Sequence, residues 1–100
     1  MEKDVLIRLH DAINQVLSPN VQGSDLRAAL DEVNSITSSE LTFEDLSKLR
    51  LNSCEWARIN RLIGDVHKMR RSVSHKVLKD VGIEDVLIRI KTNIEKIIKA

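Results

Sequence analysis

One cysteine, one proline, three glycines and two aromatic residues are all that this 100-residue chain has of those types, and each scarcity excludes something. The lone Cys54 rules out an internal disulfide framework and fits a reducing compartment; it also leaves no Cys-x-x-Cys pair for a zinc site. Three glycines, with no Gly-rich run among them, leave no loop to cradle a phosphate. With Phe43 and Trp56 the only aromatic residues, there is no platform on which single-stranded nucleic acid could stack. Leu, Ile and Val must therefore fill the core. Apolar runs reach about three residues, where a membrane span needs ~20. The opening MEKDV carries no apolar signal segment. A membrane-free, intracellular protein is expected. No His-Glu-x-x-His occurs among His10, His67 and His75, Cys54 has no ligand at metal-site spacing, and His67 and His75 lie in a basic segment that disfavours a bound cation. The expectation is accordingly no metal, no cofactor and no catalytic constellation.

What is present is ordinary for a globular chain: 42% hydrophobic residues, 31% charged, net charge +1. A chain of this length forms one domain, residues 1–100, and buries roughly 65% of its unfolded surface. The balanced charge hides an uneven distribution. Residues 66–79, VHKMRRSVSHKVLK, hold Lys68, Arg70, Arg71, Lys76 and Lys79 and no acid. Residues 24–45 hold Asp25, Asp31, Glu32, Glu40, Glu44 and Asp45 against Arg27 alone. One end of the fold is expected to be basic and another acidic. Nucleic-acid contact would be at most weak and nonspecific, because the domain as a whole is not basic.

No stretch alternates with period two, whereas helical spacing recurs throughout. Val5, Leu6, Leu9, Ala12, Ile13, Val16 and Leu17 form one apolar face over 3–17. Pro19 ends that helix near Ser18, since the residue before proline avoids α geometry. Ser24 is placed to cap a second helix carrying Leu26, Ala29, Leu30, Val33 and Ile36, and TSSE at 37–40 reads as a polar connector. Thr42 with Asp45 has capping-box spacing, with Leu41 and Leu46 placed as a staple; Asn52, Glu55, Leu51 and Trp56 repeat the pattern. A break near Leu51–Asn52 follows, then a helix to about Arg70 burying Trp56, Ile59, Leu62, Ile63, Val66 and Met69. The last helical region, 73–98, carries Val77, Leu78, Val81, Val86, Leu87, Ile90, Ile94, Ile97 and Ile98 and is interrupted at Gly82 by either a kink or a clean break. The expected fold is an all-α, compact bundle of about five helices. No apolar stripe is left over, so a monomer is expected.

RLHDAI at 8–13, ALDEV at 29–33 and MRRSVS at 69–74, in this order, resemble the integrase-binding domain of lens epithelium-derived growth factor and its hepatoma-derived growth factor relatives. That domain belongs with the TFIIS N-terminal domain among helical bundles. The resemblance covers residues 5–36 and 66–98; residues 37–65 look longer than the family's segment. It implies a right-handed, non-catalytic interaction domain of a nuclear, chromatin-associated protein. Such a domain sits C-terminal to a PWWP domain and tethers partners to chromatin. Its ligands are short disordered motifs, acidic and carrying a phenylalanine, bound at a tip made by two interhelical loops.

The resemblance assigns residues 17–25, LSPNVQGSD, to the first of those loops. Leu17, Pro19, Asn20 and Val21 become partner-binding candidates there, with Arg70, Arg71, Ser72 and Val73 in the second loop. Asn20 stands where the family has an acid, and Ser72 where it has a phenylalanine. Asn20 still offers a side-chain acceptor but no charge. These departures imply a partner repertoire other than viral integrase. Two alternatives follow. One keeps the fold and places the chain among TFIIS-type transcription-elongation factors. The other takes RRSVSH, 70–75, as resembling the RNA-cutting signature of the dimeric, helical HEPN ribonucleases. Arg70 would then stabilise phosphate charge and His75 would act as acid or base.

Overall fold

Apolar residues every three or four positions close an amphipathic helix over residues 3–17, and α1 (Lys3–Leu17) buries Leu6, Leu9, Ala12, Ile13 and Val16 along that stripe. The computed structural model describes residues 3–50, 54–55, 57–61, 74–80 and 82–99, the side chains of Phe43 and Leu46 excepted. The remaining elements are α2 (Gly23–Ser39), α3 (Phe43–Lys48), α4 with helical residues at 54–55 and 57–61, α5 (His75–Asp80) and α6 (Ile83–Lys99). No strand occurs among the described residues. The protein is an all-α bundle.

α1 lies between α2 and α6 and packs on both, while α5 packs on α6. The core they share is aliphatic: Leu9 and Ile13 from α1, Leu26, Leu30 and Ile36 from α2, Leu87, Ile90 and Ile94 from α6, all essentially inaccessible. Leu49, Ile59 and Leu78 bring the end of α3, α4 and α5 into the same core. Each fully buried aliphatic side chain contributes about 1.5–3 kcal/mol. The bundle's radius of gyration, 12.7 Å, matches the ~13 Å of a packed chain of 100 residues.

Several boundaries differ from the sequence-based expectation, each for a local reason. α2 begins at Gly23 with Gln22 as its N-cap, so Ser24 lies inside the helix and caps nothing. Gly23 itself has φ +60°, a left-handed conformation that glycine adopts without strain. The residues TSSE are not a connector. α2 continues through Ser39, because Thr37 is buried and returns its hydroxyl to the Val33 carbonyl at 2.9 Å. Ser38 Oγ does the same to the Asn34 carbonyl at 2.6 Å. Hydroxyls satisfied in this way no longer compete with the helix.

The Thr42–Asp45 capping box is present. Asp45 N–H donates to Thr42 Oγ1 at 3.2 Å and Thr42 N–H donates to Asp45 Oδ2 at 3.0 Å. α3 is shorter than expected and ends at Lys48, with Arg50 in the left-handed region at φ 57°. There the Arg50 N–H donates to the Ser47 carbonyl, and Asn93 Nδ2 on α6 donates to the Leu49 carbonyl at 2.9 Å. Gly82 makes a clean break, not a kink. At φ +78° it donates its N–H to the Lys79 carbonyl, and α6 starts anew at Ile83. The second capping signature at Leu51 and Asn52, and the burial expected for Trp56, Leu62, Ile63, Val66 and Met69, lie outside the described residues.

Polar side chains of α1 fasten both seams. Arg8 on α1 donates to Glu32 at 3.0 Å and to Glu40 at 2.8 Å, spanning the second half of α2. On the α6 side, Asn14 Nδ2 donates to His10 Nδ1 at 3.3 Å, and His10 Nε2 donates to Glu95 Oε1 at 2.9 Å. That hydrogen bond from His10 is the main reason the Glu95 carboxyl is held below its usual range, with help from Lys91 and Lys99. Asp45 is held low in the same way by the Thr42 backbone N–H. A depressed carboxyl contributes stability that is present above its unfolded-state pKa and is lost as pH falls through the folded value. Urea unfolding across the acid range should therefore show stability declining on the acid side of ordinary carboxylate titration. In Glu95→Gln that decline becomes shallower. An unchanged slope would mean that the His10–Glu95 contact does not persist in solution.

Candidate functional site

The bundle's clearest built feature outside its core is the loop from Ser18 to Gln22. Its sequence dictates a turn: Pro19 stops α1, and Gly23 admits the left-handed step into α2. Three short-range hydrogen bonds give it a fixed shape. Ser18 N–H donates to the Gln15 carbonyl at 3.3 Å, Val21 N–H to the Ser18 carbonyl at 3.2 Å, and Gln22 Nε2 to the Pro19 carbonyl at 3.2 Å. Leu17 and Val21 are half-buried and pack against the core. Pro19 and Asn20 stand exposed at the crest. Of the four candidates in this loop, two thus anchor it and two face solvent.

The loop does not stand alone. His75, the first residue of α5, is half-buried and donates Nε2–H to the Val21 carbonyl at 2.7 Å across 54 positions of sequence. Ser74 precedes it with its Oγ accepting the Val77 N–H at 3.3 Å, which caps α5. Lys76 and Lys79 are exposed on the same short helix, and so is Val77, which the apolar spacing places on the buried stripe; α5 turns Leu78 into the core instead. Arg70, Arg71, Ser72 and Val73, the candidates of the second loop, lie outside the described residues, as do His67 and Lys68.

The sequence assigned His75 only an acid or base role, and nothing local could have revealed its partner, a backbone carbonyl 54 residues away. With Nε2 donating to that carbonyl, only Nδ1 remains for proton exchange. The acidic stretch 24–45 is also less free than its composition suggests, since Arg8 pairs with two of its carboxylates, Glu32 and Glu40, and offsets one of their two charges. The Arg8 guanidinium is correspondingly held protonated above its ordinary range, chiefly by its hydrogen bond to Glu32.

A second surface is an open groove of about 350 Å³ between α1 and α2. Ala12, Ala28 and Ala29 line it together with Arg8, Asp11, Gln15 and Glu32. Among the described residues no three His, Cys, Asp or Glu side chains converge as a metal site, and Cys54 is exposed. No described helix is long and apolar enough to cross a membrane. No family model, curated protein or solved structure matches the chain.

Proposed function

We propose that the protein is a non-catalytic interaction domain of a nuclear, chromatin-associated protein that binds short, disordered, acidic segments through the tip formed by the α1–α2 loop and the residues leading into α5. One observation carries this reading. The His75–Val21 hydrogen bond holds the loop after α1 beside the start of α5, which in sequence lies four residues after the Arg-Arg pair, and the resemblance to the integrase-binding domains pairs that loop with the segment after its own Arg-Arg. The chemistry supports the choice of ligand. Arg70, Arg71, Lys76 and Lys79 fall within ten residues of sequence with no acid before Asp80. Such a cluster attracts an acidic chain, while a phenylalanine or other apolar anchor in the partner supplies affinity. Asn20 in place of an acid and Ser72 in place of a phenylalanine point, through the resemblance, to partners other than viral integrase.

Affinity capture from nuclear extract with this domain as bait, followed by peptide mapping, tests the proposal. Acidic, phenylalanine-bearing segments of chromatin or transcription proteins are the expected catch. Cleavage of RNA by the purified domain, abolished by His75→Ala, would contradict it and favour the ribonuclease.

A further inference from the structure

The hydrogen bonds inside the 18–22 loop span three residues each. They fix the turn's shape but not its place on the bundle. Its ends are held by α1 and α2, with Leu17 and Val21 against the core; among the described residues, its side-chain tie to α5 is His75 Nε2 on the Val21 carbonyl at 2.7 Å. The latter is shorter than the ~2.9–3.0 Å usual for N–H···O bonds. His75 is itself well seated. α5 is capped by Ser74, and Leu78, one turn on, is 2% exposed in the core. We propose that His75 is the positioning residue of the tip: it ties the α1–α2 loop to the start of α5, so that Pro19 and Asn20 are presented as a preformed crest. This deepens the proposed function and rests on it where a ligand is concerned, but the loop's own behaviour is independent of any ligand.

A crest held in advance spares a partner the cost of ordering it. The role demands a donor at one reach from the α5 backbone. An imidazole with its proton on Nε2 supplies that, and so does a glutamine amide, whereas leucine fills the space and donates nothing.

The test compares His75→Leu and His75→Gln by amide hydrogen exchange at Val21, whose N–H is protected by the Ser18 carbonyl. Exchange should accelerate ~10-fold in the leucine variant, the scale of one hydrogen bond to a half-buried carbonyl, and return to within ~3-fold of wild type in the glutamine variant. Imidazole nitrogen shifts of the wild-type protein give a reading that survives if the leucine variant fails to fold, and they should show the proton on Nε2. A synthetic acidic peptide bearing phenylalanine should bind the leucine variant more weakly and the glutamine variant as it binds wild type. Val21 exchange unchanged in His75→Leu, or an Nε2 that carries no proton in wild type, overturns the positioning role. The expected exchange pattern with no peptide bound by wild type would keep the role and remove the proposed function instead.

Discussion

Leu9→Ala should lower the unfolding free energy by ~3 kcal/mol or more, while Ile7→Ala, two residues earlier, should cost less than ~1 kcal/mol. The side chains are of similar size and lie on the same helix, so the contrast comes from position alone. Leu9 is 0% exposed on the face of α1 that meets the shared core, whereas Ile7 is 41% exposed. Truncating Leu9 opens a cavity at the helix that α2 and α6 both pack against, and its neighbours cannot all close in on it. Against a total of ~5–15 kcal/mol for a domain of this size, such a loss brings the fold close to its limit. Urea unfolding decides the matter, read as a shift of midpoint at unchanged slope. Equal losses at the two positions would mean that α1 is rotated about its axis relative to the packing described.

The largest functional effect is expected from Arg70→Glu combined with Arg71→Glu, which takes the local charge of the pair from +2 to −2. Association with an acidic, phenylalanine-bearing peptide should slow ~10-fold or more at low ionic strength, with little change in dissociation. The loss should shrink as salt rises, because the Debye length is only ~8 Å under physiological conditions. Lys76 and Lys79, exposed on α5, remain to give some attraction. Circular dichroism should stay helical, showing that the domain has not unfolded. Stopped-flow binding at two salt concentrations gives the answer. A change confined to dissociation would assign the arginines to direct, desolvated contact instead of steering.

The helices were legible because the apolar spacing is regular. The buried residues of α1 all belong to the stripe that periodicity picks out, as do those of α2 other than Thr37 and those of α6 other than Ile83, and the Thr42–Asp45 box was legible because both partners lie within one turn. What local pattern could not show were events decided by distant packing. Thr37 looked like loop composition, yet it is carried into the core by the helix that Val33 and Ile36 anchor. Ser24 is a good cap by type, but the left-handed Gly23 lets the helix start before it. At the candidate site, Pro19 marked the turn at once. The anchoring of that turn by His75, and the pairing of Arg8 with Glu32 of α2 and Glu40 at its C-cap, each join residues 24 or more positions apart, where no spacing rule reaches.

The central claim is that the tip, and not another surface, receives an acidic disordered segment. It is tested most directly by titrating the isotope-labelled domain with a synthetic acidic peptide bearing phenylalanine and following every backbone amide. The account predicts saturable shifts concentrated in residues 17–22, in 70–74 and at the start of α5. Shifts gathered instead along the α1–α2 groove, at Arg8, Asp11, Gln15 and Glu32, or no saturable shifts at all, would contradict it.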